Sequence, residues 1–203
     1  MRPALFDQVE FVLDEAITGR PRALTVLGER GAGKSWVAEQ ASALAAERGM
    51  RVLSTRGRPD DRELAFGAMQ ALLRPLERHL DDLAPEHADD IRGALAFRTT
   101  AIDPLQLRVG VFRLLCAAAE TTPVCVVVDD ADLIDRASAD VLSFALGRLG
   151  ADPVAAVAAA RHRSQPAARM LPAPSAGPAT TESVGLSSLS RFSKIRRKFS
   201  SIT

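Results

Sequence analysis

Several things are scarce in this chain, and each scarcity removes a class of function. Charge of one sign is not in excess: 26 basic against 25 acidic residues leave a net charge of +1. The chain as a whole therefore offers no argument for nucleic-acid or membrane binding. Cysteine is nearly absent. Cys116 and Cys125 both lie in apolar segments, and no C-x-x-C spacing suggests a metal or redox pair, so both read as small buried thiols. Long apolar runs are missing too. The longest, Val154 to Ala160, is far short of a membrane span. The N-terminus meets an acid at Asp7, too soon for a secretory signal, so a cytoplasmic location is expected. His79, His87 and His162 stand apart with no ligand partner at metal spacing and read as surface residues. No internal repeat is present.

What remains is enough for a core. At 203 residues and 47% hydrophobic content, the chain supports one domain or one and a half, and wholesale disorder is excluded. Leu5 to Ile17 carries Leu5, Val9, Val12, Leu13 and Ala16 at helical spacing, the pattern of an amphipathic helix. Ala23 to Leu27 is a short apolar run that reads as a strand.

The next stretch, Gly28-Glu29-Arg30-Gly31-Ala32-Gly33-Lys34-Ser35, fits G-x-x-x-x-G-K-[ST] between that strand and a helix. Glycines let the backbone bend tightly and leave its N–H donors uncovered, so that they converge on phosphate oxygens. The following helix aims its positive dipole end at the same anion. Lys34 brings a mobile charge to the outer phosphates and Ser35 a hydroxyl ligand for Mg²⁺. The cofactor-binding set is thus Gly28 to Ser35, with Trp36 beside it, its ring packing against the sheet. Trp36, Val37, Ala41, Leu44 and Ala45 recur at helical spacing, and Gly49 is placed to close the helix.

Arg51 to Thr55 is a plausible second strand. Asp61 to Leu80 carries Leu64, Ala68, Leu72 and Leu76 on one stripe, with Pro75 kinking or ending the helix. Asp81 to Thr100 gives only a weak helical signal. Asp103-Pro104 is an N-cap followed by proline at the first helical position, and the helix it starts ends before Pro123.

Val124 to Val128 is apolar without alternation, as a strand buried on both faces of a parallel sheet requires, and Asp129-Asp130 closes it. Acids at that end fall where ligands gather in open α/β sheets. Asp129 is the natural acid at Mg²⁺ alongside Ser35, and Asp130 could orient or activate an attacking water. Ser138 can cap the next helix, with Gly150 at its end. Val154 to Ala160 is one more strand, and Arg161 at its tip could sense or stabilise a terminal phosphate. The catalytic set is then Lys34, Asp130 and Arg161. Strands alternating with helices predict an α/β fold, a doubly wound, mainly parallel sheet with helices on both faces. Residues 1–163 form this domain. From Ser164 to Ser183 the composition shifts to Pro, Ala, Ser, Thr and Gly and reads as a loop or linker. The remaining 184–203 form a basic tail, with Arg191, Lys194, Arg196, Arg197 and Lys198 and no acid after Ser187.

On these residues the chain resembles the N-terminal P-loop ATPase domain of large ATP-binding regulators of the LuxR class. These are the MalT-like members of the signal-transduction ATPases with numerous domains. The resemblance runs from the phosphate loop through Glu63 to Leu76 and Val124 to Asp135, and on to Arg161, about two-thirds of the chain. Glu63 to Leu76 is fairly specific to that group, whereas the loop alone is shared by very many families. The resemblance implies ATP and Mg²⁺ as cofactors, and a switch whose nucleotide occupancy governs oligomerisation or engagement of a partner protein, with slow hydrolysis resetting it. The chain departs from many relatives at Asp132 and Leu133, where they carry His and Trp. Relatives continue past Arg161 with a lid, a sensor region, repeats and a DNA-binding helix-turn-helix. Val184 to Ser190 is similar to the last strand and lid entry, so this chain reads as a truncated form with no direct DNA binding of its own. Two other readings stand beside this one. The chain could be an independent ATPase acting with a partner protein. It could also be a degenerate interaction domain, against which the intact Lys34 and Asp129 argue.

Overall fold

The computed structural model describes residues 5–60, 64–96, 102–161 and 180–186, the last by backbone alone. Residues 5 to 17 form α1 (Leu5–Ile17), and Val9, Val12, Leu13 and Ala16 are its buried stripe, as the spacing predicts. β1 (Arg22–Gly28) leads into α2 (Lys34–Glu47), and β2 (Arg51–Arg56) follows. The end of α2 is closed as expected: Gly49 N–H donates to Ala46 O and Met50 N–H to Ala45 O, satisfying carbonyls that would otherwise lack partners.

The helix expected over 61–80 is interrupted at Pro75, as anticipated, and begins only at Gly67, with residues 61–63 outside the described residues. α3 (Gly67–Leu73) is short, and a 3₁₀ helix (Arg74–Asp82) takes over at Pro75. Proline cannot donate to the α ladder, but it fits the first turn of a new helical segment. Leu64 precedes α3 and is exposed rather than part of the buried stripe. Where the sequence gives only a weak signal, α4 (Pro85–Leu95) is a full helix whose inward side carries His87, Ala88, Ile91 and Ala94. α5 (Pro104–Thr121) begins as expected, Asp103 accepting from the N–H groups of Leu105 at 2.8 Å and Gln106 at 3.1 Å.

β3 (Val124–Asp129) is buried at every position, and α6 (Arg136–Leu146) follows it. The cap of α6 corrects the expectation. Asp135, not Ser138, is the N-cap, and Ser138 sits inside the first turn with its N–H donating to Asp135. Nor does Gly150 end the helix; the C-cap is Gly147. β4 (Val154–Ala160) and β5 (Thr180–Leu186) complete the described elements. Residues 180–183, which composition assigns to a linker, are the first half of β5. The rest of that stretch, most of the basic tail and His162 lie outside the described residues.

The five described strands form one parallel sheet in the order β2-β3-β4-β1-β5. Helices cover both faces, which establishes the α/β, P-loop NTPase-type architecture. Along β3 the side chains alternate between two cores. Val124, Val126 and Val128 join α3, α4, α5 and α6 on one face, while Cys125 and Val127 join α1 and α2 on the other. A strand with apolar demand from both sides has no polar positions to alternate with. The two described histidines, His79 and His87, are not at the surface. His79 is 8% and His87 7% exposed. His79 Nε2 accepts from Arg51 Nη1 at 2.6 Å. His87 lies where α5 approaches α4 over Gly110. Both side chains are drawn in by amphipathic stripes that the sequence signal under-reports.

Candidate functional site

The site forms at the carboxyl ends of β1, β3, β4 and β2, where an open parallel sheet leaves a crevice. After β1 the chain turns through Glu29 and Arg30, both exposed, and Ala32 N–H closes the turn on Glu29 O at 3.1 Å. Gly33, at φ 87°, is the N-cap of α2 and makes no side-chain cap bond. That left-handed conformation is costly for a residue with a Cβ. It leaves the first N–H groups of α2 for a ligand rather than a capping side chain. Lys34 is 7% exposed and its Nζ donates to Glu29 O at 3.1 Å, folding the side chain back over the loop.

Two strands away, Asp129 ends β3 at 8% exposure, and Asp130 turns the chain at φ 46°. Asp130 N–H donates to Asp129 Oδ1 at 2.9 Å, which fixes the carboxylate of one acid with the backbone of the other. Asp132 is buried and takes up Arg161, accepting its backbone N–H at 3.2 Å and lying 3.6 Å from its Nε. Asp132 thus positions the arginine at the tip of β4.

A cavity of about 500 Å³ lies in the crevice, lined by Arg30, Lys34, Arg56, Arg58, Arg161 and Asp130 among others. Five basic side chains face it against one acid, a balance that suits a polyanion. The loop, Asp130 and Arg161 are therefore brought to one place. Trp36 is not in the cavity lining; its ring packs edge-to-face on Phe6 of α1 at 5.2 Å, as the core-packing expectation has it.

The residues that sequence reasoning passes over are Arg56, Gly57 and Arg58, at the end of β2. Arg56 Nε lies 3.5 Å from Asp129 Oδ2 and 3.2 Å from Asp130 Oδ2, and its Nη2 donates to Ser35 Oγ at 3.5 Å. Gly57 N–H donates to Asp129 O at 2.9 Å, and a Cβ on Gly57 would stand 2.4 Å from Asp130 O. The available signal is position: a basic-glycine-basic triplet directly after a strand falls at the ligand end of the sheet. Asp135 is missed as well. Besides capping α6, its carboxylate accepts from the N–H groups of Phe66 at 2.9 Å and Ala68 at 3.2 Å, tying the start of α3 to α6.

The donor set also fits a hard divalent cation. A hydroxyl and two carboxylates surround one positive group, the Arg56 guanidinium, and hard cations take oxygen ligands of this kind. Among the described residues there is no cluster of three or more His, Cys, Asp or Glu able to hold a metal alone, so other oxygens would have to complete any such shell. Cys125 lies well away on the α1–α2 face, its thiol pushed up to about 12 by burial.

Residues 1–157 match the model of the AAA ATPase domain. The chain belongs to the AAA ATPase domain family. A search of curated proteins gave no match. In this AAA ATPase domain the matched span takes in the phosphate loop, the acid pair and most of β4. No helix among the described residues is long and apolar enough to cross a membrane.

Proposed function

We propose that this AAA ATPase domain is an ATP-binding switch module that takes Mg-ATP in the cavity between the phosphate loop and the acid pair. The observation that carries the reading is the cavity itself. It sits at the sheet's carboxyl end, with the N-terminus of α2 on one side, Asp130 on another and five basic side chains around it. Gly28 to Ser35 would hold the phosphates through backbone N–H groups, and Lys34 would leave the Glu29 carbonyl for a phosphate oxygen. Ser35 and Asp129 would hold the cation, which supplies charge neutralisation on the phosphates when bound. Asp130, held out of the strand by its left-handed turn, is placed to orient water, and Arg161 to meet the terminal phosphate. Binding is the primary activity and hydrolysis a slow reset.

The segment from Glu63 to Leu76, described from Leu64 onward, supports a place among LuxR-class, MalT-like regulators, in the cytoplasm, with a second copy or a partner protein reading the nucleotide state. Here that segment builds α3 and the start of the 3₁₀ helix against the α4–α5 core.

Thermal unfolding with and without ligand tests the reading. A ligand at about 100 times its Kd stabilises by about 2.7 kcal/mol. For a domain of this size that is a rise in Tm of about 5–10 °C. ATP with Mg²⁺ should give such a rise and Lys34→Ala should abolish it. No shift in the unmutated protein at millimolar ATP would reject the proposal.

A further inference from the structure

The group seated among the oxygens just assigned to a metal is a side chain of this chain. We infer that Arg56 is a tethered counter-cation for Ser35, Asp129 and Asp130, and that loading a divalent ion is an exchange in which Arg56 leaves. The inference rests on the nucleotide reading above and deepens it by naming what the ion must displace.

Three observations support it. The guanidinium meets all three oxygen groups at once, at 3.5 Å to Ser35 Oγ, 3.5 Å to Asp129 and 3.2 Å to Asp130. These are the lone pairs a divalent cation would use, so the two occupants exclude one another. The backbone under Arg56 is also fixed. It is paired in register with Asp129 across β2 and β3, and Gly57 locks onto the Asp129 carbonyl at 2.9 Å. The approach of arginine to acid is thus built into the sheet and does not depend on a wandering side chain. Finally, the Arg56 side chain is 59% exposed while that of Asp129 is 12% exposed. The carboxylate is committed to the site and the cation on it is not: an arginine that open to water can swing away at little cost.

The physical consequence is a threshold. With no ion bound, Arg56 offsets the repulsion between two adjacent carboxylates. A divalent ion must outcompete a charge that is always present at high local concentration, so free Mg²⁺ alone gains little there. With phosphates in the cavity, the displaced arginine has anionic oxygens to meet nearby, since Arg56 also lines that space.

The experiment uses the full chain as wild type, Arg56→Ala and Arg56→Lys. Unfolding is followed against MgCl₂ without nucleotide, and binding of a fluorescent ATP analogue is followed against Mg²⁺. The wild type should show little Mg²⁺ response without nucleotide. Arg56→Ala should melt lower in EDTA and recover with millimolar Mg²⁺. Its Mg²⁺ requirement for nucleotide binding should fall about threefold to fivefold, the scale of a half-exposed ion pair, with Arg56→Lys in between. Equal Mg²⁺ responses in wild type and Arg56→Ala would overturn the inference while leaving nucleotide binding intact. So would a tenfold loss of nucleotide affinity at saturating Mg²⁺ with an unchanged Mg²⁺ requirement, which would make Arg56 a phosphate ligand only. If the wild type binds no nucleotide, the functional reading falls and this inference with it.

Discussion

Gly57→Ala is the sharpest test of how the acid turn is built. The added Cβ would meet three backbone atoms: Asp130 O at 2.4 Å, Ile134 N at 2.8 Å and Leu133 C at 2.9 Å. None is the far end of a flexible side chain, so the turn itself must retreat, by about 1 Å to restore ordinary contact at the oxygen. Overpacking of this kind costs about 1–3 kcal/mol. In a chain of this length it should lower Tm by about 2–12 °C. The same retreat moves Asp130 and the carbonyl of Asp129 relative to the phosphate loop, so the nucleotide-dependent rise in Tm should shrink as well. Gly150→Ala is the control, because a Cβ there meets nothing within 4 Å and the backbone is not in the left-handed region. That substitution should be neutral or stabilise by a few tenths of a kcal/mol. The assay is paired thermal melts of both variants with and without ATP and Mg²⁺. If Gly57→Ala melts within a degree of the unmutated protein and keeps the full ligand shift, the close approach of β2 to the acid turn is not what fixes the site.

Two further predictions concern the rest of the frame. Asp135→Ala removes the cap of α6 and strands the N–H groups of Phe66, Ala68 and Ser138, so it should cost about 2–4 kcal/mol. Hydrogen exchange at residues 66–69 should rise before the strands show any change, and uniform exchange across the chain would contradict the clamp. Cys125, with its thiol pushed up to about 12 by burial, should react with a thiol reagent at pH 8 only on unfolding. Modification at the rate of a free thiol in the native protein would show that the α1–α2 face is open.

Much of this could be read without coordinates because several levels of signal agree. The phosphate loop combines an apolar strand, glycines and a helical stripe, and the structure supplies β1, the Gly33 turn and α2 in that order. Asp103-Pro104 likewise carries its own mechanism, a carboxylate acceptor followed by a preset φ. β4 is instructive in the other direction. Alanine favours helix, yet Val154 to Ala160 is a strand at 0–3% exposure because its place between β3 and β1 decides the matter. It was legible only through its length and apolarity. α4 is only weakly legible and the burial of His79 and His87 is not, since a helix with His87 on its inner face looks polar until α5 is known to pack there. Arg56 was missed for a related reason. A basic residue after a strand is ordinary in a sequence, and only the pairing of β2 with β3 sets it opposite Asp129. Asp135 and Ser138 exchanged roles because both are competent caps, and the local spacing alone did not choose between them.

The position of β4 has a consequence for the site that concerns distance rather than chemistry. By lying between β1 and β3 it holds the phosphate loop and the acid pair two strand spacings apart, about 10 Å. Among the described residues no hydrogen bond runs directly from the loop to either acid; the link recorded is the guanidinium of Arg56. The narrow, alanine-rich strand thus sets the backbone spacing across which the side chains of the loop and of the acids reach toward a shared occupant. Whatever fills that gap sets how the two halves of the site sense one another.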